Sequence, residues 1–387
     1  MSPKTEKKQY SFMQYLLAMT AACLVFAIMQ GIHDNYGIML NGIVAHTGID
    51  YASVSFVIAV GQILYGATQP IFGMLALKKS NAFVMMCGIV FMAVGLIVTP
   101  FCSGWWSLLI FFGILLPAGT GALCFGIVMG AVAPIIGEKR AAVASGIIQA
   151  SAGIGDALMS PLLQQFTDWR GVAFSMPVFA IPILLMLPVV FWLGNKRKKI
   201  KADNGENLPD EPKSESLSEI LHFAMRDRTY WCLLIGFSTC GFHMAIIETH
   251  LFSQYISCGI PNNLASLTLT VYGIFTMLGA VMTGFLGQKF RMKNVLAFVY
   301  GIRVLVAVSF IVLPKSVPFA FIATGILGLT GDSTVPPTTG IISRKVGVAK
   351  MAVVYGSIFI GHQIGALSAH GLEVFLSALR LGILLYG

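Results

Sequence analysis

Apolar runs of about 20 residues or more, separated by short charged or turn-rich gaps, recur along the chain, and a helix of that length crosses a bilayer core. They fall near residues 13–40, 52–76, 82–102, 106–133, 142–165, 170–193, 230–256, 265–287, 294–313, 318–341 and 351–370, numbered here as spans 1 to 11. A twelfth starts near residue 372. Their continuous apolar character, without the alternation of barrel strands, predicts helices throughout. One long hydrophilic stretch interrupts the pattern, so the expected organisation is an N-terminal six-helix bundle over 1–193, a linker over 194–229, and a C-terminal bundle over 230–387. That last bundle holds five full spans and a partial twelfth. Inside the linker, Ser216 and Glu219 have capping-box spacing, and Leu217, Ile220, Leu221 and Ala224 share a helical face. A short interfacial helix is expected there.

Composition agrees with a membrane class: 56% of residues are hydrophobic, 11% are charged, and the mean hydropathy is +0.81. The net charge of +9 would suit a nucleic-acid partner if it were pooled. Instead, 21 of the 25 lysines and arginines lie on alternate gaps, and only Arg170, Arg303, Lys315 and Arg380 are elsewhere. That asymmetry places the N-terminus and the 194–229 linker in the cytoplasm, where the basic residues face anionic lipid and no nucleic acid is needed. The first apolar stretch far exceeds the ~7–15 residues of a signal-peptide core, so it stays as span 1. Seven cysteines form no CxxC pair, which supports neither a disulfide framework nor a zinc site.

An internal repeat organises the spans. "QGIHDNYG" aligns with "CGFHMAII" at an offset of 210, placing Gly31 over Gly241 and His33 over His243. The same offset relates Thr120-Gly121 to Thr330-Gly331, and Arg140, Gly146 and Gly155 to Lys350, Gly356 and Gly365. The loop "GMLALKKSN" from Gly73 meets "GFLGQKFRM" from Gly284 at 211. Two duplicated halves in parallel suit an alternating-access transporter with its site between them near mid-bilayer.

The loop after span 2, with its echo after span 8, resembles the basic loop motif of the major facilitator superfamily. "CGFHMAIIETHL", "TVPPTTGIISRKVG", "YGSIFIGHQIG" and "GIIQASAGIGDALMSPLLQQFTDWR" look like its bacterial monocarboxylate-porter and oxalate–formate-antiporter branch. The resemblance covers nearly the whole chain. It implies an all-α membrane protein of two six-helix bundles in pseudo-twofold repeat, located in a bacterial inner membrane and moving small organic anions with protons or by exchange. Departures accompany it: the loop acid is replaced by Leu77 and Gln288, and the branch often has a cation at position 33 and an amide at 156. Span 6 predicts a partner over about 380–403, whereas this sequence ends at Gly387, so helix 12 is expected to be truncated.

Ionisable groups inside spans are expensive and face the bundle interior, which makes them functional candidates. His33, Asn35, His243 and His362 are the candidate substrate-binding residues, and Asp34, Asp156 and Asp332 the candidate proton carriers. Glu248, His250 and Arg303 are candidates for a gate or a structural ion pair, with Asp156 one possible partner of Arg303. Helix-to-helix hydrogen bonding is the competing role for these groups, and close helix contact is the role expected of Gly146, Gly153, Gly155, Gly361 and Gly365. In "CGFHMAIIETH", His243 and His250 share a stripe while Glu248 projects about 160° away, so the three do not converge on a metal. Pro336 and Pro337 mark span 10 as a candidate moving element. Walker, GxSxG and HExxH motifs are absent, which argues against ATP-driven transport and hydrolase chemistry. The expected function is a monomeric, proton-coupled secondary transporter of a small organic acid, with no cofactor. The alternatives are export of cationic or amphipathic compounds, and a non-transporting remnant.

Overall fold

The computed structural model describes residues 12–193 and 215–386, and among these there is helix and no strand. Among the described residues ten helices are long and apolar enough to cross a membrane, the last being the run Val317–Ala369, which holds spans 10 and 11 and turns at Gly347. Large apolar side chains such as Ile311, Val312 and Leu305 stay exposed around the outside, as lipid-facing positions do.

Span 1 is not the unbroken helix the sequence predicts. Helix Phe12–His33 stops, and a second helix, Tyr36–Thr47, begins after Asp34 and Asn35. Short polar side chains compete for backbone partners, and Asn35 does so here: its Nδ2 donates to the Gly31 carbonyl at 2.6 Å. Ser160 Oγ of span 5 donates to Asn35 Oδ1 at 2.7 Å, tying the break to the neighbouring helix. Spans 4 and 10 are broken at repeat-related places. Helix Leu116–Ala122 gives way to Phe125–Ile136, and helix Val317–Thr330 passes through a 3-10 turn, Asp332–Thr334, before Val335. The turns that follow these spans carry Gly137 and Gly347, each at φ 79 and ψ 157. Beyond Gly347 the backbone stays helical through Tyr386; the side chains from His370 onward, including the predicted start of span 12, lie outside the described residues.

Glycines set the helix crossings. A Cβ on Gly155 would lie 1.9 Å from the Ala27 carbonyl oxygen, and one on Gly365 would lie 1.9 Å from that of Ser238. Span 5 thus presses on span 1 as span 11 presses on span 7, at positions 210 apart. A second set joins the halves near the end of the bundle that carries the linker. Span 2 meets span 11, where a Cβ on Gly73 would reach Val353 N at 2.8 Å and one on Gly356 would reach Pro70 N at 2.7 Å. Span 8 meets span 5, where a Cβ on Gly146 would reach the Ala280 oxygen at 2.6 Å. Ser145 and Thr339 hydroxyls meet at 3.3 Å beside that seam.

The linker helix Leu217–Met225 has the predicted capping box, with Ser216 Oγ accepting from Glu219 N at 3.1 Å and Glu219 Oε2 accepting from Ser216 N at 2.7 Å. Its predicted stripe packs inward, with Ile220 and Ala224 buried and Leu217 and Leu221 partly so. Asp227 caps span 7 through Thr229 N at 2.8 Å and meets Lys345 Nζ at 2.5 Å. That lysine hydrogen bond holds the Asp227 carboxyl down at about 2.

Candidate functional site

Breaks in spans 1 and 10, together with the glycine seams, leave a cavity of about 610 Å³ between the halves. Spans 1, 2, 4 and 5 line one side, and spans 7, 8, 10 and 11 the other. The seams close it at the linker end. Five of the predicted site residues meet on its wall: His33, Asp34, Asp156, Asp332 and His362.

His33 and Asp34 work as a unit. The Nδ1 of His33 lies 2.9 Å from Asp34 Oδ1, and Gln30 Nε2 donates to both Asp34 oxygens at 2.7 and 2.9 Å. With Nδ1 committed to the carboxylate, the buried Nε2 of His33 is left without a partner among the described residues. Tyr65 closes on the ring at 4.1 Å between centroids. From the other half, His362 stacks on Phe359 at 5.0 Å and 8°, and its Nδ1 is likewise buried and unpartnered. Asp332 sits in the span 10 turn with Gln149 of span 5 beside it across the cavity. Among the described residues no lysine or arginine lines the cavity, and the charged groups they bring to it are carboxyls and imidazoles.

Other candidates lie elsewhere. Asn35 is 5% exposed and serves the span 1 break instead of the cavity. His243, the repeat partner of His33, is off the wall, its Nε2 buried without a partner. Arg303 pairs with no carboxylate among the described residues. Its Nη2 donates to the carbonyls of Thr330 and Gly331, holding the opened end of span 10, and its guanidinium lies over the Tyr300 ring. Glu248 and His250 belong to the span 7 helix, but their side chains lie outside the described residues. Among the described residues, no three His, Cys, Asp or Glu converge as metal ligands.

Sequence reading missed the amides. Gln30, Gln62, Gln69, Gln149 and Gln363 all line the cavity. An intramembrane glutamine carries no charge to flag it, although Gln62 and Gln69, seven residues apart in span 2, share a helical stripe.

Residues 11–369 match the family model described as Major Facilitator Superfamily. The chain belongs to that superfamily. Among curated relatives, it is 21% identical to the probable transporter MCH2 of Saccharomyces cerevisiae, over 92% of this chain and 77% of that one. It is 20% identical to mouse monocarboxylate transporter 12, over 63% and 54%. Among solved structures, the transporter FucP of Escherichia coli in the outward conformation superposes with a TM-score of 0.69 at 17% identity, covering 95% of this chain and 93% of that one. The major facilitator fold accounts for the paired bundles and the cavity between them, and the assignment makes the chain a transporter, not an enzyme.

Proposed function

We propose that this protein is a proton-coupled transporter of a small organic acid. The observation that carries the reading is the pair His33 and His362, which bring to one cavity, from opposite halves, a buried ring nitrogen with no hydrogen-bond partner among the described residues. Histidine is the side chain whose charge changes most readily near neutral pH, so a wall with no lysine or arginine among the described residues becomes cationic only when it takes up protons. A substrate carboxylate then has imidazolium to pair with, and loses that partner when the protons leave. Asp34 sits against His33 and receives its proton; Asp156 and Asp332 are the further carriers. The name of the mouse relative supports the substrate class. The basic gaps support a linker end in the cytoplasm of a bacterial inner membrane, with the protein acting as a monomer.

Purified protein in vesicles tests this: organic-acid uptake rises as the loading side is acidified and collapses when the pH gradient is dissipated. Uptake indifferent to the gradient refutes coupling. His33→Ala removes a charge-assisted hydrogen bond worth about 1.5–3 kcal/mol and raises the half-saturating concentration at least tenfold. One observation favours a second reading. Three wall carboxyls face two imidazoles, a balance that suits a cationic or amphipathic substrate. Under that reading Asp156→Asn is the more damaging variant and His33→Ala the milder one.

A further inference from the structure

The cavity holds more recognition chemistry than a short carboxylate can use. At its floor, where span 2 meets span 11, Gln69 is 0% exposed and neither its Oε1 nor its Nε2 has a hydrogen-bond partner. Gly356 packs against its Cβ, which fixes the amide at the seam. Burying both ends of an amide unpaired is costly, and proteins keep very few such groups. Gln62, on the same stripe of span 2, and Gln363, beside His362 on span 11, make no hydrogen bond among the described residues. Each amide offers a donor and an acceptor together. A carboxylate only accepts, so it satisfies half of what these amides present, whereas a hydroxyl both gives and takes. Size points the same way, because about 610 Å³ lies in the range that encloses a drug-sized ligand. A three-carbon acid leaves most of that volume unfilled.

We infer that the transported acid is a polyhydroxy carboxylate of about sugar-acid size, its carboxylate held by His33 and His362 and its hydroxyls read by Gln62, Gln69 and Gln363. This rests on the organic-acid reading above and narrows it. An acid lacking hydroxyls enters the cavity but leaves the amides unpaired, so it binds weakly.

The test uses the full chain in vesicles with a trapped pH-sensitive dye, an acidic exterior, and D-gluconate, D-glucuronate, propionate, glucose and the cation tetraphenylphosphonium as probes. The expected result is proton entry driven by gluconate or glucuronate, half-saturating about tenfold or more below propionate. Gln69→Leu, close in volume, raises the half-saturating concentration for the hydroxylated acid about tenfold and changes that for propionate less than about twofold. Gln363→Leu gives the same split and serves if the seam variant does not fold; the comparison of acids in the unsubstituted protein needs no variant. Propionate matching gluconate, or both acids weakened equally by Gln69→Leu, overturns the inference and leaves the organic-acid reading standing, with bound water satisfying the amides. Proton movement with tetraphenylphosphonium or glucose and with no acid overturns both.

Discussion

Closure of the cavity at the linker end depends on the glycines Gly73, Gly356 and Gly146, and enlarging them shifts the balance between transport states. In Gly146→Ala the new methyl lies 2.6 Å from the Ala280 carbonyl oxygen; in Gly73→Ala it lies 2.8 Å from Val353 N and 3.0 Å from Ala352 C. These neighbours are backbone atoms, which cannot rotate away, so the helices must part by several tenths of an ångström. Overpacking of this kind costs about 1–3 kcal/mol. Because each contact joins opposite halves, the cost falls on the state closed at the linker end and is absent once those helices separate. The ratio of that state to the open one falls about 5- to 150-fold per site. Spin labels on cysteines at Lys79 and Ala349, both exposed, report the span 2 to span 11 distance in a background without the native cysteines. Gly73→Ala lengthens that distance in a larger share of molecules, and Gly146→Ala acts in the same direction from the other seam. Gly155→Ala is the control: its methyl meets the Ala27 oxygen at 1.9 Å, inside one half, so it lowers the melting temperature without moving the distance distribution. An unchanged distribution in both seam variants, or an equal change in Gly155→Ala, refutes the division into seam and scaffold glycines.

Three further outcomes follow from the geometry. Asn35→Ala and Ser160→Ala each lower stability by about 1 kcal/mol, and a double-mutant cycle gives a coupling of similar size, since one hydrogen bond joins them; additive losses would deny the link across the span 1 break. Arg303→Met leaves the Thr330 and Gly331 carbonyls without their donor and lowers the melting temperature, with Arg303→Lys recovering part of the loss; equal melting of Met and Lys variants would show that the donor does not matter. For Asp227 the folded carboxyl lies near 2, below its unfolded value of 3.8, so its ion pair stabilises above about pH 4 and that contribution fades as pH falls toward 2. Asp227→Asn keeps a capping side chain and removes this increment, so its melting temperature converges on that of the parent as pH drops from 4 to 2; a constant gap would exclude the linkage.

Spans, linker helix and glycine crossings were legible because each leaves a local trace: apolar length, a capping pair, a small residue at a fixed offset. The break in span 1 was also written locally, in Asp34 and Asn35, yet apolar character on both sides masked it. His243 falls off the cavity wall for a different reason. Which face of a helix looks into the cavity depends on how the helices cross, and no residue within span 7 or span 9 encodes that. Arg303 was read as an ion-pair partner because its charge was visible; the acceptors it uses, two carbonyls of an opened helix, have no side-chain signature.

Symmetry separates scaffold from site. At the 210 offset the structural positions repeat: Gly31 with Gly241, Gly137 with Gly347, Gly155 with Gly365, and the break before Phe125 with that before Val335. The polar wall does not. Asp34 falls opposite Met244, Asp156 opposite Ala366, Asp332 opposite Ala122, His362 opposite Ala152 and Gln149 opposite Phe359. The duplicated imidazole pair, His33 and His243, is split, with the first on the wall and the second off it. A cavity with the same groups on both walls would accept a substrate in two equivalent poses, related by the pseudo-twofold axis. Unequal walls admit one pose, and under the proposed coupling one pose would let each proton be taken up and released beside the same substrate group through a full transport cycle. Duplication therefore accounts for the rocking frame, and the loss of symmetry at about mid-span accounts for what the frame can carry.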